Sequence, residues 1–266
     1  MTEPVRPPVE LDYSLEGPEG APVLVLSSSL GTDRGMWEAQ MPALRERFRL
    51  LRYDQRGHGA SPVPDGPYTI AELGRDAISL LDRLGVERFS FCGLSLGGMV
   101  GMWVASEVPE RVQSLVLCCT AASLGPPEMW SERAAAARKS GVGSLAEAVL
   151  ERWYTPDFHR ESPEAVEWTA GMLRSTPGEG YAGCCEAIRE MDQRDRLGEI
   201  RAATLAIAGA EDPATPPQKL EEVVAAIPGA RLEVVPRAAH LANIERPEDF
   251  NRPLLEHLES AGEETS

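Results

Sequence analysis

The sequence predicts an α/β fold: a mostly parallel, doubly wound sheet interrupted by a helical insertion. Three observations predict it. Short apolar runs rich in Val, Leu and Ile lack the polar alternation of a half-exposed strand, so both of their faces are buried, as in a parallel sheet. Helix-like segments with short links separate successive runs, the pattern of strand–crossover–strand units. Between Thr120 and Thr204, however, helix-like pieces follow one another with no strand-like run.

The first run, VLVLSS at 23–28, leads into the polar loop SSSLGTD. The second, LLRYD at 50–54, leads into DQRGHGAS. Thr69-Ile70-Ala71-Glu72 then forms a capping box, in which Thr accepts from the third helical amide and Glu reaches back to the cap amide. The helix it opens runs to about Leu84, where Gly85 stops it. FSFCG at 89–93 is the third strand, and a helix from Leu96 to about Val108 follows until Pro109. SLVLCCT at 114–120 is the fourth strand, TLAIAG at 204–209 the fifth and LEVVP at 232–236 the sixth. Gln218 to Ala226 and Pro247 to Glu259 read as helices. The chain is thus expected to divide into a core, residues 1–122 and 197–266, and a helical cap, residues 123–196. An insertion over the C-terminal edge of a parallel sheet is where a pocket lid sits. Trp130, Trp153 and Trp168 fall in it, and Trp168 reads as a core residue of that unit.

Charge and composition narrow the partners. A chain of 266 residues fits one domain with an insertion. A net charge of −16 repels phosphate backbones and anionic membranes, so neither nucleic acid nor membrane is an expected partner. No apolar run approaches the roughly 20 residues of a membrane span. The opening MTEPVRPPVELDYSLEG lacks the apolar segment of a signal peptide, so a cytoplasmic location is expected. Cys92, Cys118, Cys119, Cys184 and Cys185 have no zinc-type spacing and read as reduced core thiols, so no structural metal is expected. The acidic end EHLESAGEETS reads as a helix end with a frayed tail. Nothing in the pattern reports the oligomeric state.

The chemistry starts at FCGLSLGGMV, residues 91–100. Ser95 lies between a buried strand ending at Gly93 and a helix beginning near Leu96, so the chain must turn sharply at the serine. Gly93 and Gly97 leave room where a Cβ would collide. The turn lifts the hydroxyl above the sheet and aims the Leu96 amide, at a helix N-terminus, into the same space. This is the nucleophile elbow of the α/β-hydrolase fold. A serine needs a base held by an acid, and on this fold the chain order is Ser, then Asp or Glu, then His. His240, in RAAHLANIERP, follows the sixth strand and is the candidate base. Of Glu211 and Asp212 after TLAIAG, Asp212 is the candidate acid because Pro213 and the TPP turn make a rigid loop. His58 precedes the serine, His159 lies in the insertion and His257, in the last helix, reads as solvated. A second oxyanion amide comes from the loop after the first buried strand, and counting back from Trp37 points to Leu30. Ser28 and Ser29 are expected to hold that loop, and Arg56 to tie loops together beside Asp54.

Together SSSLGTDRGMW, LRYDQRGHGAS, FCGLSLGGMVGMW, CCEAIREMDQRD and AAHLANIERP resemble the 3-oxoadipate enol-lactonases. The similarity runs from about Leu11 to Leu258. Ser28 stands where Asn is expected and Leu96 where Met is common. The resemblance implies a small carboxylate-bearing enol-lactone as substrate and a serine mechanism without cofactor or metal. A general carboxylesterase, a cofactor-free perhydrolase and a hydrolase-fold receptor are the alternatives. An anionic substrate on an acidic protein calls for a local cation, and arginine suits a carboxylate best. Of Arg133, Arg138, Arg152, Arg174 and Arg189, Arg133 shares a helix face with Trp130, so these two are the expected pocket residues, with Arg189 as a further candidate.

Overall fold

The computed structural model describes residues 6–263, with side chains through Ser260. In chain order its first half holds β1 (Tyr13–Glu16), β2 (Val23–Ser27), α1 (Met41–Leu44), β3 (Arg49–Tyr53), α2 (Ile70–Arg83), β4 (Phe89–Leu94), α3 (Leu96–Glu107) and β5 (Val112–Cys118). Five helices follow: α4 (Pro127–Ser140), α5 (Ala146–Trp153), α6 (Pro156–Glu161), α7 (Pro163–Ser175) and α8 (Gly178–Glu190). The chain then forms β6 (Ala203–Gly209), α9 (Pro217–Ala226), β7 (Arg231–Val235), α10 (Ala242–Glu245) and α11 (Pro247–Glu263).

One seven-stranded sheet has the order β1-β3-β2-β4-β5-β6-β7. Every pairing is parallel except β1 with β3. The central strand β4 is buried along its whole length, and α3 behind it is buried from Leu96 to Ser106. That helix is apolar on every side because it has no solvent face. Gly74 of α2 admits the indole of Trp103 from α3, since a Cβ there would come within 1.9 Å of the ring. The capping box at Thr69 and Glu72 forms as expected.

Four details differ from the sequence expectations. β1 was not expected; it is four residues long, antiparallel and at the sheet edge, too short to carry a periodic signal. β7 is the other edge, and Arg231, Glu233 and Val234 are exposed, so it is not buried on both faces. Trp168 is 42% exposed rather than part of a core. His257 is buried rather than solvated, with Nε2 3.2 Å from the Ala203 carbonyl at the end of the sheet. The five cysteines are free and buried, and burial pushes the Cys119 and Cys184 thiols well above their usual range. α11 continues through Glu263; the remainder of the acidic tail, and residues 1–5 of the opening segment, lie outside the described residues. No described helix is long and apolar enough to cross a membrane.

Candidate active site

The turn between β4 and α3 is strained at one residue. Ser95 has φ 55° and ψ −114°, a left-handed conformation that L side chains avoid. Its neighbours must be glycine: a Cβ at Gly93 would lie 2.2 Å from the Gly97 carbonyl oxygen, and one at Gly97 would lie 2.1 Å from the Ser27 carbonyl oxygen. Hydrogen bonds hold the strain in place. The Ser95 amide donates to the Cys118 carbonyl at 2.9 Å, and the Thr120 hydroxyl donates to the Ser95 carbonyl at 2.7 Å. Packing and hydrogen bonding thus over-determine the conformation that presents the Ser95 hydroxyl.

Asp212 and His240 meet above the C-terminal ends of β6 and β7. His240 Nδ1 is 2.8 Å from Asp212 Oδ2, and both side chains are buried. Asp212 also accepts from the Ala214 and Thr215 amides at 2.7 and 3.0 Å and from the Thr215 hydroxyl at 2.7 Å. Burial opposes ionisation of Asp212, but the His240 imidazole and the Thr215 donors outweigh it and hold the carboxyl below its ordinary range. A carboxylate so held keeps His240 with its proton on Nδ1 and leaves Nε2 free as a base. Thr215 was missed by sequence reasoning. Its hydroxyl lies 3.2 Å from His240 Nδ1 and 2.7 Å from the Asp212 carboxylate, so it fixes the pair from the side. The rigid ATPP turn was the one signal pointing to it. His240 and Ser95 line one cavity, and no hydrogen bond joins their side chains in this structure. The loop carrying His240 is anchored on both sides. The Leu241 amide donates to the Trp153 carbonyl at 3.0 Å, and the Ala239 amide donates to Glu245 at 2.8 Å.

The loop after β2 closes the opposite side. The Gly31 amide donates to His58 Nε2 at 2.9 Å, and Gln55 Nε2 donates to the Ser28 carbonyl at 2.6 Å. The Thr32 hydroxyl and amide both donate to the Ser29 carbonyl. The loop is therefore held through backbone groups; the Ser28 hydroxyl is buried without a partner and does not contribute the bond expected of it. Burial lowers the pKa of His58 to about 4, so the ring is neutral and Nε2 accepts the Gly31 amide. The amides of Leu30 and Leu96 find no protein acceptor among the described residues. Both are thus available to a ligand oxygen in the cavity, which Leu30 and Ser95 line.

The cavity has a volume of about 250 Å³. One wall comes from α4 and α5, with Trp130, Arg133, Arg152 and Trp153. The Arg133 guanidinium lies 4.8 Å from the Trp130 ring and 5.6 Å from the Tyr181 ring, and it donates to the Tyr181 hydroxyl. Trp130 is fixed by its indole N–H, which donates to the Leu124 carbonyl at 2.9 Å. Arg189 does not join them. It pairs with Glu190 and reaches the Ser131 hydroxyl, while its neighbour Ile188 faces the cavity. On α8 adjacent residues point about 100° apart, and the apolar one takes the inner face. Arg56 binds Asp76 at 2.5 and 2.7 Å; Asp54 instead binds Arg34 and the Ala60 amide. No group of three or more His, Cys, Asp or Glu side chains suited to a metal ion occurs among the described residues.

The alpha/beta hydrolase fold family matches residues 22–247. The chain is 41% identical over 91% of its length to 3-oxoadipate enol-lactonase 2 of Acinetobacter baylyi, covering 91% of that protein. It is 32% identical to RutD of Stutzerimonas stutzeri, a protein named for carbamate hydrolysis, covering 93% of this chain and 96% of that one. The crystal structure of the enol-lactonase from Burkholderia xenovorans LB400 superposes with a TM-score of 0.91 at 43% identity, covering 93% of this chain and 96% of that one.

Proposed function

The chain belongs to the α/β-hydrolase family and is an ester-bond hydrolase, and from that premise we propose that it opens a small carboxylate-bearing enol-lactone, giving 3-oxoadipate, through a triad of Ser95, His240 and Asp212. Residues 123–196 act as the cap that supplies the substrate wall. The Ser95 hydroxyl attacks the lactone carbonyl while His240 Nε2 takes its proton. Asp212 accepts the Nδ1–H bond and stabilises the imidazolium that forms. The Leu30 and Leu96 amides hold the tetrahedral oxyanion, a contribution of two to three orders of magnitude per donor in rate. Collapse breaks the ring C–O bond, and the imidazolium returns its proton to the leaving enol oxygen. That enol stays tethered to the acyl chain and becomes a ketone, which removes the nucleophile that would close the ring again. Water, deprotonated by His240, then attacks the acyl-enzyme. Release regenerates Ser95 and yields a second carboxylate, for a net addition of one water.

The observation that carries the substrate class is Arg133. It is a cation on the cavity wall, stacked between Trp130 and Tyr181, with no carboxylate partner among the described residues. A cation left open in a protein of charge −16 suits an anionic ligand. The similarity to two enol-lactonases, at 41% and 43% identity, supports the same reading. The test is parallel turnover of the enol-lactone, p-nitrophenyl acetate and a small carbamate, the last because of the RutD likeness. The proposal expects the highest kcat/KM on the lactone. Arg133→Met should raise the lactone's KM about tenfold to a hundredfold, the worth of one charge-assisted pair. A higher kcat/KM on the neutral ester or the carbamate would replace it with a general esterase or carbamate hydrolase.

A further inference from the structure

Eight arginines lie between β5 and β6 in the stretch 123–196. Arg138, Arg160, Arg174, Arg189, Arg194 and Arg196 each pair with a carboxylate. Arg133 and Arg152 pair with none among the described residues, and both line the same cavity as Ser95 and His240. Other unpaired arginines of this chain lie elsewhere; these two are set apart because their guanidiniums face one cavity.

Arg152 reaches the cavity because of helix geometry. Ala148, Val149 and Arg152 stand three and four residues apart on α5, so they share the face that lines the pocket. The guanidinium is half-buried, and its protein hydrogen bond is a long one, 3.4 Å from Nη2 to the Pro213 carbonyl. That contact sets it beside the turn that carries Asp212 and Thr215. Burial, and after it the positive charge of Arg133, pull the Arg152 pKa below its ordinary value, against the opposing pull of the nearby Asp212 carboxylate. Two like charges facing one cavity destabilise the empty protein, and an anion between them relieves that repulsion.

We infer that Arg152 forms a second anion subsite, so that the cavity takes a dicarboxylate with one carboxylate at each arginine. For its chemistry the inference rests on the lactonase reading above, because ring opening turns a monoanion into a dianion inside this pocket. Arg133 holds the carboxylate the substrate brings. Arg152, on the side of the acid–base loop, receives the one that hydrolysis creates. The ligand class is a linear aliphatic dicarboxylate of about six carbons.

Calorimetric titration of the full-length enzyme with adipate, hexanoate and hexanamide tests this without any turnover. These probes have the same chain length and differ in charge. In the wild type, adipate should bind about tenfold more tightly than hexanoate, and hexanoate more tightly than hexanamide. Arg152→Gln should bring the adipate Kd up to that of hexanoate and leave hexanoate within about twofold. Arg152→Lys, which keeps the charge without the planar fork, should recover part of the difference. Equal affinity for adipate and hexanoate in the wild type overturns the inference. So does an Arg152→Gln enzyme that weakens both acids alike, because that is general field strength rather than a second site. A wild type with the adipate preference that leaves the enol-lactone intact would sink the lactonase reading and keep the subsite. Lactone turnover without the preference would sink the subsite alone.

Discussion

Ser95 stands in a left-handed conformation that only its surroundings make tolerable, while Asp212 and His240 lie 2.8 Å apart in a buried pair. Groups acting as a unit lose most of their effect when any one is removed. Ser95→Ala and His240→Ala should each lower kcat by about 10⁴-fold or more with an unchanged circular dichroism spectrum, and Asp212→Ala by somewhat less. A folded Ser95→Ala protein that retains near-normal turnover contradicts the nucleophile assignment. Thr215→Val removes one donor from the Asp212 carboxylate and should cost far less, about tenfold in kcat, with KM nearly unchanged. His58 makes a different prediction. Burial lowers its pKa to about 4, against 6.5 unperturbed, so the unfolded chain binds a proton there before the folded one does. The stability it contributes is present above pH 6.5 and is lost as pH falls through the folded pKa; the loss amounts to about 3 kcal/mol. Denaturant midpoints from neutral pH down to about 4 should therefore fall more steeply for wild type than for His58→Gln. Parallel slopes for the two proteins would show that folding does not shift the protonation of His58, contradicting the burial effect.

Elements differ in how much of themselves the sequence exposes. The elbow was legible because strand, glycines and helix are consecutive, so one local stretch contains the whole argument. β4, β5 and β6 were legible as apolar runs because central parallel strands are buried on both faces. β7 reads the same in composition yet lies at an edge, since strand order is a property of the assembled sheet. β1 escaped for a related reason: four residues at an antiparallel edge carry no period. The arginines on α4, α5 and α8 look alike in sequence, and only packing turns Arg133 and Arg152 inward and Arg189 toward Glu190. His257 reads as solvated in the sequence because helix position alone does not show which face meets the sheet. At this scale the box that starts α2 gives a clean test. Thr69→Ala removes the side-chain acceptor of the Glu72 amide at the helix start, far from Ser95 in the chain. It should cost about 1 kcal/mol, seen as a fall in Tm of about 2–4 °C, and leave kcat untouched. A loss of turnover without a loss of stability would tie α2 to the active site in a way the packing does not explain.

The whole molecule sets a charge of −16 against a cavity carrying two unpaired arginines. Its long-range field repels an anionic lactone, and the local cations act only once the substrate arrives. Salt screens the long-range part first, because the Debye length shrinks to about 10 Å near 0.1 M. Raising ionic strength from about 10 to about 150 mM should therefore raise kcat/KM for the acidic lactone severalfold and leave a neutral ester nearly flat. A fall for the lactone over that range would mean that the arginines outweigh the global field even at a distance. The proposed covalent step allows a more direct test on the intact protein. A simple ester sheds its alcohol on acylation, but a lactone keeps its leaving group on the same chain. Rapid acid quench during turnover, followed by intact-protein and peptide mass measurement, should find an adduct equal to the whole enol-lactone, on Ser95 within the peptide containing FCGLSLGGMV. The same treatment of Ser95→Ala should give none. Turnover with no adduct under any quench time, or an adduct on another residue, contradicts the account, since the ring would then be opened without Ser95 as nucleophile.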